Sequence, residues 1–155
     1  MTVKEIKSPF TGGKVEEISE ISKMEFRGEE YDVHSRYYKC CDTGETFSDS
    51  DQDASTLDDL YSQYRIRHGI PFPDEIKAIR SRYGLNYSQI GKLLGFGTNQ
   101  WKRYESGQVP SESNGRLICA IRDKKVALKL LESTRGLYEK QEYNKIRALL
   151  NSCHA

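Results

Sequence analysis

The sequence predicts an α+β protein, with a small β-hairpin module at the N-terminus and an all-α domain of five to six helices after it. Residues 30–39 alternate between two faces with the period of two that is typical of strands, with Tyr31, Val33, Ser35 and Tyr37 on one face and Asp32, His34, Arg36 and Tyr38 on the other. Residues 74–150 instead repeat apolar side chains every three or four positions, which is typical of helices. Gly69-Ile70-Pro71-Phe72-Pro73 separates the two patterns, because two prolines and a glycine end any preceding helix. The predicted domains are therefore residues 1–68 and 69–155.

Two strands and one helix are predicted in the first domain. Strands at Val15 to Phe26 and Glu30 to Lys39 flank a turn at Arg27-Gly28-Glu29, which predicts a hairpin. A polar and acidic run at residues 48–53 then precedes a helix and can cap it. The apolar residues that indicate this helix are Leu57, Leu60, Tyr61 and Tyr64.

The second domain is predicted to be helical throughout. Asp74 can cap its first helix, and Asn86 with Gln89 forms a capping box at the start of the second. A third helix is predicted from Thr98 to about Ser106, between two glycine-containing breaks. The later helices follow Ser111, run from Lys124 to Leu131, and run from Glu139 to Leu150. The spacing of the apolar residues in the last helix does not distinguish packing on its own domain from packing on a second subunit.

Composition and charge restrict the class of protein. No apolar run in the 155 residues approaches the roughly 20 residues that a membrane span needs, and no secretory segment follows the N-terminus, so we expect a cytoplasmic protein without a membrane partner. Residues 1–68 contain 9 Lys and Arg against 15 Asp and Glu, a net charge of −6, whereas residues 69–155 contain 15 against 8, a net charge of +7. The basic half is the one suited to a polyanion.

The stretch from Ile90 to Gly107 predicts a helix-turn-helix, because two short helices are joined by a tight turn that contains glycine. Trp101 and Tyr104 are three residues apart and are predicted to anchor the second of these helices in the core. Gly91 is small, so we expect that helix to cross close above it. The opposite face presents Asn99, Gln100 and Arg103.

These exposed side chains suit the major groove of DNA. An Asn or Gln side chain can pair bidentately with adenine and an Arg side chain with guanine, and a recognition helix reads bases mainly with its N-terminal residues. Neighbouring polar side chains can contact phosphates without reading sequence. The full set of predicted DNA-binding residues is Asn99, Arg103, Gln100, Thr98, Lys102, Ser88, Tyr87 and Lys92. No catalytic constellation, phosphate loop or cofactor motif is recognisable, so an enzyme is not predicted.

The run from Ile90 to Gly107 resembles the repressor-type helix-turn-helix and, within that class, the MqsA family of antitoxins. The family pattern Gly-x-Gly-x-Asn-x-aromatic-x-Arg-Tyr-Glu-x-Gly is matched without a gap from Gly95 to Gly107, and the likeness extends over roughly residues 74 to 131. The resemblance implies a transcriptional repressor of its own promoter, with Asn99 and Arg103 reading bases. It also implies a homodimer on a palindromic operator and an acidic N-terminal module that neutralises a basic toxin.

The N-terminal half resembles the zinc-binding module of the same family with its ligands replaced. The family has Cys-Pro-x-Cys-Gly-Gly and Cys-x-x-Cys-Gly-Glu, where this chain has Ser8-Pro9-Phe10-Thr11-Gly12-Gly13 and Cys40-Cys41-Asp42-Thr43-Gly44-Glu45. Three of the four thiolates have become hydroxyls, which are poor zinc ligands, so we expect a metal-free module. Hydrogen bonds and an aromatic cluster would hold it together. The predicted cluster is Phe10, Phe26, Tyr31, Tyr37 and Phe47.

Two alternatives stay open at the level of sequence. Cys40, Cys41 and His34 could form a replacement metal site, although adjacent cysteines are a strained pair of ligands. The helical domain could also be a protein-interaction module that lacks sequence-specific DNA binding. Such a module would bind duplexes weakly and without a preferred sequence, which separates it from a base-reading domain.

Overall fold

The computed structural model describes residues 5–153 and confirms the α+β fold. Over these residues a three-stranded antiparallel sheet precedes seven α-helices. The chain divides into two compact units, Met1–Tyr64 and Arg65–Ala155, so the division falls four residues before the predicted boundary. Within the described part of the chain, no helix is long and apolar enough to cross a membrane.

The sheet of the first unit is a long hairpin with a short third strand. Strands β1 (Val15–Phe26), β2 (Glu29–Cys40) and β3 (Thr46–Phe47) lie in the order β1-β2-β3. The register runs from Val15 opposite Cys40 to Phe26 opposite Glu29 without an interruption. Arg27 and Gly28 form a two-residue turn with φ of 51° and 80°, which matches the left-handed conformation that tight hairpins favour. The predicted hairpin is confirmed, although its turn is one residue shorter than predicted.

Helix α1 (Ser50–His68) begins inside the acidic run and packs on the hairpin in the first unit. The backbone N–H of Gln52 donates to Asp49 Oδ1 at 2.8 Å, and the Asp49 N–H donates to Gln52 Oε1 at 3.2 Å. This reciprocal pair caps the helix. The apolar face of α1 buries Leu60 and Tyr64 almost completely.

The aromatic residues form two groups, so the single predicted cluster is wrong. Residues 8–13 and 40–45 form two knuckles at the end of the hairpin away from its turn. At this knuckle end, the Phe47 ring lies 6.1 Å from Phe10 and 5.4 Å from Tyr38. At the turn end, the Phe26 ring lies 5.0 Å from Tyr64, which also contacts Tyr31 at 6.4 Å. A strand rises about 3.3 Å per residue, so a 12-residue hairpin holds its two ends too far apart for one cluster.

Ser8, Thr11 and Thr43 surround the buried Cys40 thiol at the knuckle end of the hairpin. The Ser8 hydroxyl donates to Cys40 Sγ at 3.0 Å, and Thr11 Oγ1 lies 3.7 Å from the same sulfur. The Ser8 oxygen also accepts the backbone N–H groups of Phe10 and Thr11 at 3.1 and 3.3 Å. Hydrogen bonds therefore join the two knuckles where the family that the sequence resembles has zinc ligands.

These residues do not fit a zinc ion. Only one of the four positions carries a thiolate-forming side chain, and structural zinc requires four Cys or His ligands. The replacement site of Cys40, Cys41 and His34 is not assembled either, since residues 5–153 contain no group of three or more His, Cys, Asp or Glu side chains that could hold a metal ion.

Six helices form the second unit over its described residues. They are α2 (Pro73–Tyr83), α3 (Tyr87–Leu94), α4 (Gln100–Glu105), α5 (Glu112–Ala120), α6 (Lys124–Ser133) and α7 (Lys140–Ser152). A short 3₁₀ turn at Arg135–Leu137 precedes α7. The side chains at their centre form one apolar core, which includes Ile76, Ile90, Trp101, Ile118, Leu131 and Ile146. Helix α7 contributes Tyr143, Ile146 and Leu150 to it and so packs on its own domain.

The start of α2 differs from the prediction that Asp74 caps it. Phe72 is the N-cap residue, Pro73 occupies the first helical position, and Glu75 Oε1 accepts the Phe72 N–H at 3.1 Å. Proline fits this position because its missing N–H would be unpaired there in any residue. Asp74 lies in the first turn of the helix instead.

The stability of the first unit should depend on the ionisation of Cys40. Hydrogen bonds from Ser8 and Thr43 lower the pKa of its thiol from 9.0 to about 6. The unfolded chain then binds more protons between these values, so this contribution to stability is full above pH 9 and is lost as the pH falls to about 6. Urea unfolding across this range should give a steeper rise of stability with pH for the native protein than for Cys40→Ser. Equal slopes would contradict the assignment.

Candidate nucleic-acid interface

Helices α3 and α4 form the predicted helix-turn-helix, and both ends of α3 are fixed by local hydrogen bonds. The predicted capping box is confirmed, since Gln89 N–H donates to Asn86 Oδ1 at 2.8 Å and Asn86 N–H donates to Gln89 Oε1 at 2.9 Å. At the other end Gly95 has a φ of 76°, and Phe96 N–H donates to the Gly91 carbonyl at 2.8 Å. This is the Schellman pattern of a helix that ends at a glycine. The turn therefore begins at a defined residue.

Gly91 is not required by a close helix crossing, contrary to the prediction. A Cβ atom built on Gly91 would meet the Gly97 carbonyl oxygen at 3.8 Å, which is ordinary van der Waals contact. The backbone of the turn, rather than α4, lies over this position. An alanine would therefore fit at residue 91.

Two aromatic side chains anchor α4 from beneath, as predicted. Trp101 and Tyr104 are 1% and 3% exposed. The Phe96 ring packs against both, at 6.4 Å from the Trp101 ring and 5.6 Å from the Tyr104 ring. Tyr104 also accepts a hydrogen bond from Asn114 Nδ2 at 2.8 Å through its hydroxyl. One face of α4 is thus committed to the core.

An ion pair adds a second attachment between α2 and α4. Arg80 Nε and Nη2 donate to the two carboxylate oxygens of Glu105 at 3.0 and 3.1 Å. The Glu105 side chain is only 7% exposed, and its hydrogen bonds raise the pKa of Arg80. Bidentate pairs of this kind fix orientation as well as position. This pair could not be predicted from the sequence, because the two residues are 25 positions apart and no local pattern links them.

The opposite side of the motif is exposed and unpaired. Thr98, Asn99, Lys102 and Arg103 are exposed, and none of their side chains makes a hydrogen bond or ion pair with any residue in 5–153. The predicted helix from Thr98 to Ser106 is too long, since α4 begins at Gln100. Asn99 is its N-cap residue, with φ of −112°, and its carbonyl accepts the Arg103 N–H at 3.1 Å. Asn99 and Arg103 therefore remain one turn apart on the exposed side.

Of the other predicted residues, three lie together and one of these already has partners within the domain. Ser88, Lys92 and Thr98 line one cavity of about 220 Å³ between α3 and the turn. Lys92 Nζ already lies 3.3 Å from Glu142 Oε2 and 4.5 Å from the centre of the Tyr138 ring. A phosphate would have to compete with Glu142 for this ammonium group.

Tyr87 and Gln100 are also engaged within the domain. The Tyr87 ring is 39% exposed and stacks under the Arg80 guanidinium at 4.4 Å. Gln100 is half-buried, and its Nε2 donates to Gln108 Oε1 at 3.2 Å. Gln108 lies outside the helix and was not predicted as a site residue. The neighbouring Gly107 predicts where α4 ends, but it does not indicate a contact with Gln100.

Replacing Trp101 by alanine should lower the stability of the domain, whereas replacing its neighbour Lys102 by alanine should not. Loss of a fully buried aromatic side chain costs roughly 3–5 kcal/mol. An exposed lysine whose side chain makes no hydrogen bond or ion pair within residues 5–153 should change stability by no more than about 0.5 kcal/mol. Urea unfolding of Trp101→Ala and Lys102→Ala measures both. Similar midpoints for the two variants would mean that Trp101 does not anchor α4.

Comparisons with protein-family models and with curated proteins do not assign this chain to a family. No protein-family model and no curated protein matches this chain. The likeness to the repressor-type helix-turn-helix and to the MqsA family therefore rests on the motif from Gly95 to Gly107 and stays a prediction.

Proposed function

We propose that the protein is a sequence-specific double-stranded DNA-binding transcriptional regulator that reads bases with α4 and the residue before it. The observation that carries this proposal is the two-sided character of the motif. Trp101 and Tyr104 are buried on one side, while Asn99 and Arg103 are exposed on the other without an intramolecular partner. Polar side chains that have no hydrogen-bond partner within the described chain are available to an external ligand.

The chemistry of this side matches the edges of base pairs. Arginine forms two parallel hydrogen bonds with O6 and N7 of guanine, and asparagine forms two with N6 and N7 of adenine. The major groove is about 12 Å wide and admits one helix. Because Asn99 is the N-cap residue of the six-residue helix α4 and Arg103 lies in its middle, both would reach the floor of the groove.

Surrounding groups would orient the domain on the duplex. Ser88, Thr98 and Lys102 are exposed next to the base-reading pair, and they offer two hydroxyls and one ammonium group to phosphates. The net charge of +7 on residues 69–155 supports the same partner, because a basic domain releases counterions when it binds DNA. Phosphate contacts of this kind position the protein without distinguishing sequences.

The resemblance extends the proposal to a homodimer that represses its own promoter. Repressor-type proteins place two recognition helices one turn of duplex apart, about 34 Å, so the operator would be a palindrome. The proposed regulator acts in the cytoplasm and has no catalytic role. The competing hypothesis, a protein-interaction module that does not read DNA sequence, predicts no preferred duplex.

Two neighbouring substitutions should affect DNA binding in different ways. Arg103→Ala should cost on the order of 1–3 kcal/mol at the preferred sequence and relax the preference for one base pair. Lys102→Ala should weaken all sequences alike, because a phosphate contact carries no sequence information. Gel-shift titrations would use a duplex selected from a randomised library and its single-base variants. Unchanged affinity and preference in Arg103→Ala, or a library with no enriched sequence, would refute base reading.

A second proposed function is the binding of a basic protein toxin by the first unit, as in an antitoxin. Within residues 5–153 no strand pairs with the outer edge of β1, which is 12 residues long and continuous in register. Long open edges are places where another chain can add a strand. Strand β1 carries four Glu and one Lys, so it favours a basic partner and opposes pairing with a second copy of itself.

The opposite edge of the hairpin is closed, which makes β1 the available one. On β2, the His34 N–H donates to Asp59 Oδ2 at 2.8 Å, and the Asp32 carbonyl accepts from Gln63 Nε2 at 2.8 Å. Side chains of α1 thus satisfy backbone groups that a partner strand would need. The toxin proposal is therefore specific to β1.

Charge reversal on β1 should abolish neutralisation of a toxin without affecting DNA binding. Glu16→Lys with Glu25→Lys reverses two exposed carboxylates on the strand. The matched control, Glu45→Lys with Asp58→Lys, reverses two exposed carboxylates elsewhere in the unit. The assay is growth during co-expression with the reading frame that adjoins the gene. Only the β1 variant should fail to rescue growth. Equal rescue by both variants, or no toxicity from the neighbouring frame, would refute this function.

A further inference from the structure

The side chains of Gln100 and Gln108 are joined by a hydrogen bond at the first residue of α4. Gln100 Nε2 donates to Gln108 Oε1 at 3.2 Å. Gln100 is the first residue of the helix and is half-buried, whereas Gln108 is exposed. The bond therefore connects the end of α4 that would face the bases to a residue in the loop beyond its other end.

The C-terminal turn of α4 makes this contact possible. Gly107 has a φ of 119°, a conformation that residues with side chains rarely adopt. Its N–H donates to the Tyr104 carbonyl at 3.3 Å, and the Gln108 N–H donates to the Arg103 carbonyl at 3.0 Å. These two bonds form a Schellman motif. The chain is thereby turned back along the helix, and Gln108 can reach a residue eight positions earlier.

A buried arginine and two buried residues hold this loop in place. Arg65 is 3% exposed, and its Nη1 and Nη2 donate to the carbonyls of Pro71 at 2.8 Å and Gly107 at 3.1 Å. Val109 and Pro110, which follow Gln108 directly, are buried as well. The backbone on both sides of Gln108 is therefore fixed to the domain, and only its side chain extends over the surface.

We infer that Gln108 is a positioning residue that sets the orientation of the Gln100 amide and so determines the preference for adenine at one base pair. The inference rests on the proposed DNA-binding function. The bond to Gln108 occupies one N–H of Gln100 and leaves its carbonyl oxygen and second N–H free. These two groups are the acceptor and donor that pair with N6 and N7 of adenine.

The contact matters because an unsupported glutamine side chain is mobile. Glutamine has three rotatable bonds, and holding them costs conformational entropy when the side chain binds. A hydrogen bond that is already present in the free protein removes part of that cost, which is the general effect of preorganisation. Loss of Gln108 should therefore lower discrimination at the base pair that Gln100 reads and leave the base pairs read by Asn99 and Arg103 unchanged.

The test compares two substitutions of similar size at position 108. Gln108→Met removes the acceptor, whereas Gln108→Glu retains an oxygen that can accept from Gln100. Competition binding would use the duplex selected by the native protein and all its single-base variants. We expect Gln108→Met to lose about tenfold discrimination at one base pair, the same one that Gln100→Met affects, with little further loss in the double variant. Gln108→Glu should bind all duplexes more weakly, because of its charge, but keep the native preference at that base pair.

A readout without DNA tests the hydrogen bond itself. The side-chain amide of Gln100 should show restricted motion by NMR relaxation in the native protein and in Gln108→Glu, and increased motion in Gln108→Met. A native preference profile in Gln108→Met would overturn the inference while leaving DNA binding intact. A native protein that selects no sequence at all would overturn both.

Discussion

The burial of Trp101 and Tyr104 beneath α4 is the interaction on which the rest of the structure depends. A helix of six residues is too short to be stable in isolation, so packing must hold it in place. The two rings do so together with Phe96, and the pair of Arg80 with Glu105 adds a directional attachment. With one side committed to the core, the other side is free to carry polar groups that the fold itself does not use.

The first unit meets a different physical requirement, the stability of a small hairpin module without a metal ion. Ser8, Thr11 and Thr43 place hydroxyl groups around the Cys40 sulfur, so the knuckles are held by hydrogen bonds instead of coordination. Such a network contributes less to the free energy of folding than a structural zinc site, which can supply the whole of it for a small module. Packing of α1 through Leu60 and Tyr64 therefore has to supply stability that a metal would otherwise provide.

Features encoded by neighbouring residues could be predicted from the sequence. The capping box of Asn86 and Gln89, the alternation of β2 and the buried aromatic pair depend on spacings of two to four residues, and the structure has all of them. The N-terminus of α4 was placed two residues too early, because helical spacing does not distinguish an N-cap residue such as Asn99 from a first-turn residue. Contacts between distant residues could not be predicted. Three such contacts follow from tertiary packing and have no local pattern in the sequence. They are the ion pair of Arg80 with Glu105, the hydrogen bond of Arg65 to the Gly107 carbonyl and the hydrogen bond of Gln100 to Gln108.

The most direct measurement of base reading is the set of intermolecular nuclear Overhauser effects between the protein and a bound duplex of the selected sequence. We expect side-chain protons of Asn99 and Arg103 to show effects to base protons on the major-groove edge, including thymine methyl groups beside the adenine that is read. The Trp101 indole protons should show none, because that ring is buried in the core. Effects that come from another surface of the domain, or that reach only sugar protons along the minor groove, would contradict a groove-reading role for α4.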